Sequence, residues 1–332
     1  MKGSYDITVQ NKRIRYDFQI RRNITVIRGN SATGKTTLID MVREHYEEGE
    51  NSAVELRCDK QCAVIDGRSW KGQLSDLSDS IVFIDEGNQF VFSDEFASFI
   101  QKTDNYYVIV SREGIPSLPY SVDEIYGIRN SGKYGSLKRT YNEFYHLYEK
   151  NDFSAPVIPD TIITEDSNSG YQFFCAVCTR NNIRCVSANG KSGIFETAEK
   201  SKGKSLLIIA DGAALGSEIG KLVELAKVRN NITLYFPESF EWLILTSGVI
   251  NNSETADILS SPGEYIESSE YFSWERYFTA LIVRITKDTY MQYTKKKIND
   301  YYIQKHVANR ILQEINNVQL NSETETREMK RN

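Results

Sequence analysis

Residues 29–36 read Gly-Asn-Ser-Ala-Thr-Gly-Lys-Thr, two glycines framing four residues, with a lysine and a hydroxyl directly after the second. The spacing G-x-x-x-x-G-K-[ST] is that of a phosphate-binding loop. Such a loop turns backbone N–H groups inward, and the helix that follows adds partial positive charge where phosphates sit. The expected cradle is Gly29, Asn30, Ser31, Ala32, Thr33, Gly34, Lys35, Thr36 and Thr37. Lys35 then reaches the β- and γ-phosphates in a catalytic role, while the Thr36 hydroxyl ligates Mg²⁺. The magnesium shell also needs a carboxylate at a nearby strand end. Ile81-Val82-Phe83-Ile84-Asp85-Glu86 supplies Asp85 for the metal, and Glu86 to polarise attacking water as a general base. No N-K-x-D sequence offers a guanine pocket, so the expected cofactors are ATP and Mg²⁺.

These groups need elements to present them. Asn23-Ile24-Thr25-Val26-Ile27-Arg28 is rich in β-branched residues and reads as the strand before the loop. Thr37-Leu38-Ile39-Asp40-Met41-Val42-Arg43 reads as the helix after it, with one apolar face. Residues 5–20 alternate as two short strands hinged at Asn11-Lys12. Further strands are expected at Cys62 to Ile65, Ile81 to Ile84 and Tyr106 to Val110, with short helices at 70–77 and 93–102. A helix from Lys138 to Glu149 is expected to close this half. Fully apolar strands alternating with helices predict a parallel sheet covered on both faces.

Between Asn151 and Asp160 the pattern relaxes around Pro156 and Pro159, which marks a boundary. A second α/β alternation follows, with strands at 161–164, 183–186, 205–210 and 232–236 and helices at 168–181, 192–202 and 214–229. Apolar residues from Trp274 to Ile285, and again from Ile298 to Ile315, fall at helical spacing. The run Lys295-Lys296-Lys297 between them reads as a solvated helix face, with contact to nucleic-acid phosphates as the alternative. The expected divisions are a nucleotide-binding domain over 1–150, a smaller α/β domain over 160–250, a C-terminal helical segment over 265–318 and a disordered polar tail over 319–332.

The net charge of −5 excludes a wholly basic nucleic-acid-binding chain and leaves room for a local basic face. No apolar stretch is long enough to span a bilayer, and Met-Lys-Gly-Ser-Tyr-Asp lacks an apolar signal core. A cytoplasmic protein with no membrane partner is expected. An odd five cysteines (Cys58, Cys62, Cys175, Cys178 and Cys185) argue against a disulfide framework there. Cys175-x-x-Cys178 sits in Tyr171-Gln-Phe-Phe-Cys-Ala-Val-Cys and reads as the buried face of a helix. Asn189-Gly190-Lys191-Ser192-Gly193 is not a second phosphate loop, because Cys185 stands where its first glycine belongs. It reads as a turn into a helix, with Lys191 near the acids discussed next.

Over about residues 5–148 the loop, the strand-end acids and the alternation resemble the additional-strand P-loop ATPases, the group that includes AAA+ and ABC-type proteins. The resemblance implies that Lys35, Thr36, Asp85 and Glu86 bind and hydrolyse ATP. It also implies a γ-phosphate sensor after the next strand, where Ser111 and Arg112 stand; Arg112 or Arg129 could serve across an interface between copies. No L-S-G-G-Q-like signature supports an ABC transporter engine. Over about residues 160–245 the order strand–Glu165–helix–strand–helix–strand–Asp211 resembles the toprim fold of topoisomerases, primases and overcoming-lysogenization-defect nucleases. That family uses such carboxylates to hold Mg²⁺ for phosphoryl-transfer chemistry on nucleic acid. Ala213 stands where its second aspartate belongs, and Asp166, Glu238 or Glu241 could compensate. Pairing the two modules resembles defence nucleases of bacteria and mobile elements. The expected protein is an ATPase whose nucleotide state controls a toprim-like domain acting on DNA or RNA. The alternative is a nucleotide-dependent protein-interaction switch, self-associating or binding a protein partner, whose toprim-like domain is catalytically inactive. A small-molecule kinase fits the loop, but no acceptor site or lid is readable.

Overall fold

The computed structural model of the chain describes residues 1–29, 33–132, 139–148 and 156–320. The loop residues Asn30, Ser31 and Ala32 lie outside the described residues, as does the expected tail from 321 onward. The chain divides into two compact units. Unit 1 comprises Met1–Glu149 and Ser260–Trp274, and unit 2 comprises Lys150–Leu259 and Glu275–Asn332. Residues 265–274, expected in a C-terminal helical segment, thus fall in unit 1.

Unit 1 runs β1 (Tyr5–Gln10), β2 (Ile14–Ile20), β3 (Ile24–Ile27), α1 (Lys35–Glu48), β4 (Glu55–Arg57), β5 (Gln61–Val64), α2 (Trp70–Ser75), β6 (Ser80–Ile84), α3 (Asp94–Ile100), β7 (Tyr106–Val110), β8 (Ile125–Asn130) and β9 (Thr140–His146). They form one nine-stranded sheet in the order β4-β1-β2-β9-β8-β3-β7-β6-β5. The five strands β5, β6, β7, β3 and β8 are mutually parallel. Among these, β3, β6 and β7 are buried at every position, as strands covered on both faces must be. The parallel part does not extend further: β8 with β9, β1 with β2 and β1 with β4 are antiparallel, so the sheet is mixed. In β2 burial alternates, as on a strand with one wet face. Leu38, Ile39, Met41 and Val42 of α1 join Ile7, Val9, Ile81, Phe83 and Val108 in one core cluster.

The helix expected over 138–149 is corrected. Residues 140–146 form β9, and Lys138 and Glu149 lie outside the described residues. Aromatic and β-branched residues suit a half-buried pleat, and β9 finds partners on both sides. Phe144 stacks on Phe18 of β2 with centroids 4.2 Å apart, and Glu143 pairs with Arg129 directly across the β8–β9 ladder.

Unit 2 runs β10 (Thr161–Thr164), α4 (Ser169–Arg180), β11 (Arg184–Ser187), α5 (Lys191–Lys200), β12 (Leu206–Ile209), α6 (Ile219–Val228), β13 (Ile232–Tyr235), α7 (Phe240–Thr246), α8 (Ser253–Ser260), α9 (Trp274–Thr286) and α10 (Lys305–Gln313). α8 and α9 each cross a unit boundary by one residue. The sheet is fully parallel, in the order β11-β10-β12-β13. Its strand order reverses between β10 and β12, the place where open α/β sheets leave a crevice at the carboxyl ends. The helical spacing from Ile298 to Ile315 is realised only over α10, since turns carry the chain from 298 to 304. All five cysteines are free thiols; of the two on α4, Cys178 is buried and Cys175 is half-buried.

Candidate functional site

In unit 1, β3 delivers the chain to the loop and α1 leaves it. Gly29 has φ 136° and Gly34 φ 89°, the left-handed region that glycine adopts without strain. Gly34 is the N-cap of α1, whose first turn has neither a capping side chain nor an acid, so its N-terminal field is not neutralised locally. A Cβ at Gly34 would stand 2.8 Å from the Tyr16 hydroxyl. That hydroxyl donates to the Gly34 carbonyl at 2.9 Å. Burial pushes the Tyr16 phenol up, against hydrogen bonds with Asn142 of β9 and Thr37 of α1. One tyrosine thus ties the end of the loop to two other elements.

The Lys35 ammonium donates to the Gly29 carbonyl at 2.9 Å and the Thr33 hydroxyl at 3.1 Å. Burial pushes its pKa down, Glu86 and Asp85 pull it up, and Arg112 pushes it down. Thr36 and Thr37 are exposed on the first turn of α1.

Asp85 and Glu86 follow β6, and Ser111 and Arg112 follow β7, which lies between β6 and β3. All four line one cleft of ≈ 350 Å³ together with Asn88 and Phe92. Asp85 is pushed above the usual carboxylate range, first by burial and further by Asp40 and Glu86, against the Glu86 N–H and Arg43. Its Oδ1 accepts from the Glu86 N–H at 2.7 Å. Glu86 pairs with Arg112 at 2.5 Å, both partly exposed, so the pair contributes little to stability. The Ser111 hydroxyl donates to the Glu113 carbonyl at 2.9 Å. Arg129 is elsewhere on the sheet, paired with Glu143 and set over the Tyr145 ring.

In unit 2, Glu165 and Asp211 stand at the carboxyl ends of neighbouring strands β10 and β12. The Asp211 N–H donates to Glu165 Oε2 at 3.2 Å, and the Phe240 N–H donates to Asp211 Oδ1 at 3.0 Å. Glu241, on the first turn of α7, is fully buried. Glu238 is also buried, and its carbonyl accepts from the Ala213 N–H at 3.2 Å. The Gly190 N–H donates to the Glu165 carbonyl at 2.7 Å, and Lys191 is among the charges that Glu165 feels.

Lys295 was missed by sequence reasoning and changes this site. Its Nζ lies 3.1 Å from Glu241 Oε1, 3.3 Å from Glu275 Oε1 and 3.6 Å from Asp211 Oδ2. The expectation of a solvated helix face is corrected: Lys295 is largely enclosed and lies outside any helix, and only Lys296 and Lys297 are exposed. Hydrogen bonds to its carbonyls seat this stretch, the Ser169 N–H donating to the Lys295 carbonyl at 3.0 Å and the Gln172 side-chain Nε2 to the Lys296 carbonyl at 2.9 Å. Two residues earlier, buried Tyr293 donates to Glu241 Oε1 at 2.7 Å. Nothing in a three-lysine run marks which member turns inward, and Glu275 is too distant in sequence from Asp211 for the two to be grouped around one lysine on paper.

The electrostatics follow from enclosure. Burial alone pushes Lys295 down, but Asp211, Glu241 and Glu275 outweigh it and hold the ammonium well above the ordinary lysine range. Burial, with Glu275 adding to it, pushes Glu165 up to about 7. Burial likewise pushes Asp211 well up and Asp166 up, against the pull of Lys295. The crevice beside Glu165, Asp166 and Asp211 has a volume of ≈ 20 Å³, about the room one water needs. Among the described residues, no group of three or more His, Cys, Asp or Glu is arranged to hold a metal ion. Asp211, Glu241 and Glu275, already gathered on the Lys295 ammonium, do not fit a divalent-cation site.

No helix among the described residues is long and apolar enough to cross a membrane. Compared with known proteins, the chain matches no family model, no curated protein and no solved structure.

Proposed function

We propose that unit 1 binds ATP with Mg²⁺ and hydrolyses it. The observation that carries this reading is the pair of left-handed glycines, Gly29 and Gly34, with Lys35 at the start of α1 reaching the Gly29 carbonyl and the Thr33 hydroxyl. Strand β7, between the loop strand and the strand bearing Asp85, supports the resemblance to additional-strand P-loop ATPases. The donors suit the group. Magnesium at nucleotide sites takes one or two carboxylates plus phosphate oxygens, and Thr36 is exposed while Asp85 is a strand-end acid facing a cleft. Thr36 and Asp85 would hold the ion, which when bound neutralises charge on the phosphates. Lys35 trades the Gly29 carbonyl and Thr33 hydroxyl for phosphate oxygens. Glu86 orients water and takes its proton, and Arg112 beside it supplies positive charge.

The test is Mg²⁺-dependent turnover of ATP and GTP by the whole chain, with and without DNA or RNA. Loss of one preorganised charged donor typically lowers turnover by roughly 10²–10³, and Lys35→Ala should do so. Glu86→Gln should lower turnover similarly while retaining nucleotide. A folded wild-type protein with no affinity for any nucleoside triphosphate overturns the reading.

For unit 2, the enclosed Lys295, the alanine at position 213 and the water-sized crevice favour the switch over the nuclease. On this reading ATP drives association with a protein partner or a second copy, and the toprim-like unit is inactive as a nuclease. Metal-dependent cleavage of DNA or RNA, lost in Glu165→Ala and Asp211→Ala, would reinstate the nuclease.

A further inference from the structure

Strands β4 and β5 are the two edges of the nine-stranded sheet, yet only residues 58–60 separate them in the chain. Laid flat, strands spaced about 4.8 Å apart would set those edges roughly 38 Å from each other. The stretch from Arg57 to Gln61 spans at most about 14 Å. The sheet of unit 1 therefore curls until its edges approach at this turn. A cysteine stands on each side, Cys58 directly after β4 and Cys62 inside β5. Both sulfurs hold Lys60: its N–H donates to Cys58 Sγ at 3.4 Å, and its carbonyl accepts from the Cys62 thiol at 3.8 Å. The Cys62 thiol is also a hydrogen-bond partner of Cys58 Sγ. We propose that Cys58 and Cys62 are a peroxide-responsive dithiol, Cys58 reacting first and Cys62 resolving it, whose disulfide staples the two sheet edges. The inference goes beyond ATP hydrolysis by unit 1 and does not depend on it.

The surroundings assign the two roles. Cys58 is half-buried, within reach of a small oxidant, and Cys62 is buried. The hydrogen bond from Cys62 holds the Cys58 thiol below its ordinary range, against burial and the Asp59 charge, with the Lys60 and Asp59 N–H groups helping. The same contact and burial push Cys62 well up. Because the thiolate is the nucleophile, Cys58 attacks. Its sulfur takes one oxygen of hydrogen peroxide as the O–O bond breaks. A sulfenic acid forms, and the departing hydroxide takes up the proton the thiol had shed. The Cys62 sulfur then attacks the Cys58 sulfur; the S–O bond breaks, and hydroxide leaves with the Cys62 proton as water. Two thiols and one hydrogen peroxide become one disulfide and two waters. The turn is braced for that bond, because the Lys60 ammonium pairs with Asp79 just before β6 and lies 5.5 Å from the centroid of the Tyr5 ring of β1. Cys178 and Cys185 make a similar contact, but there it joins burial in pushing the half-buried Cys185 well up, so that pair presents no ready thiolate.

Peptide mapping of the whole chain tests this. Reduced, folded protein is treated with hydrogen peroxide, its remaining thiols are blocked with N-ethylmaleimide in denaturant, and it is digested with trypsin. Cleavage after Arg57, Lys60 and Arg68 puts Cys58 and Cys62 on separate peptides, 58–60 and 61–68. Those two peptides should appear joined in wild type and part on treatment with dithiothreitol. Cys62→Ala should leave Cys58 as a sulfenic acid that dimedone traps, and Cys58→Ala should leave Cys62 reduced. Should either variant fail to fold, the wild-type digest decides by itself. Blocked thiols at both positions after oxidation overturn the inference. So does Cys58 joined to Cys175, Cys178 or Cys185, or Cys58 carried to the sulfinic acid while Cys62 stays free. ATP turnover is read in a separate assay, so either reading can fail alone.

Discussion

Tyr16 reaches from β2 to the carbonyl of Gly34, and the same hydroxyl stands where a Cβ at Gly34 would point. The loop's geometry therefore depends on a residue remote from the motif. Gly34→Ala meets two penalties, a left-handed φ that an L side chain adopts at roughly 1–2 kcal/mol and a collision with a buried phenol. We expect it to lower Tm and to weaken ATP binding at least tenfold, with Tyr16→Phe in the same chain restoring only the steric part; unchanged Tm and affinity would refute the account. Glu165 makes a different prediction. Its folded pKa of about 7 lies above its ordinary 4.5, raised by burial, Glu275 and Asp166 against the Asp211 N–H and Lys191. An acid whose pKa is higher folded than unfolded stabilises the fold below its unfolded pKa, and that contribution is lost as pH rises through the folded value. Between pH 4.5 and 7 wild type should lose roughly 3 kcal/mol more than Glu165→Gln in denaturant titrations, each tenfold change in proton affinity being worth about 1.4 kcal/mol. Parallel pH profiles for the two proteins would count against it.

At the scale of elements, β9 carries the main lesson about period. Tyr141, Phe144, Tyr145 and Tyr148 fall at i, i+3, i+4 and i+7, a helical pattern, and yet residues 140–146 are a strand. Tyrosines are tolerant of partial burial on either kind of element, so their spacing loses to pairing with β8 and β2. Cross-strand fit then locks the choice. Gly127 lies opposite Tyr145, and a Cβ there would come within 2.4 Å of the tyrosine ring. Gly127→Val should displace the ring and destabilise unit 1 by roughly 1–3 kcal/mol, as overpacking does; Tyr145→Ala in the same chain should recover part of it. A neutral Gly127→Val would mean that Tyr145 does not lock the β8–β9 pairing. By contrast β3, β6 and β7 were legible because their short runs are mostly β-branched or aromatic and fully buried.

For the whole molecule, the return of residues 260–274 to unit 1 makes its N-terminal part incomplete by itself. Asn23 Nδ2 donates to the Phe272 carbonyl at 2.7 Å, and the Gly3 N–H donates to the Gly263 carbonyl at 2.7 Å. The Arg22 guanidinium lies 3.5 Å over the buried Trp274 ring. Losing a buried tryptophan costs roughly 3–5 kcal/mol, a large share of the ~5–15 kcal/mol that holds an ordinary domain together. A fragment of residues 1–150 should therefore melt well below the whole chain or fail to fold. A fragment with the Tm of unit 1 in the full chain, read by circular dichroism, would show that the returning segment is dispensable.

Local sequence determined what depends on neighbours in the chain: the glycine-framed loop, the helix after it, the apolar strands and the acids at their ends. Those features follow from backbone freedom and from burial on both faces, which a short window of residues records. Tertiary structure alone decided that β9 is a strand, that 260–274 belongs with the N-terminal unit, and that Lys295 turns inward among Asp211, Glu241 and Glu275. Each of these depends on groups far apart in sequence meeting in space, where a Coulomb attraction, a ring contact or a ladder of hydrogen bonds outweighs the local preference.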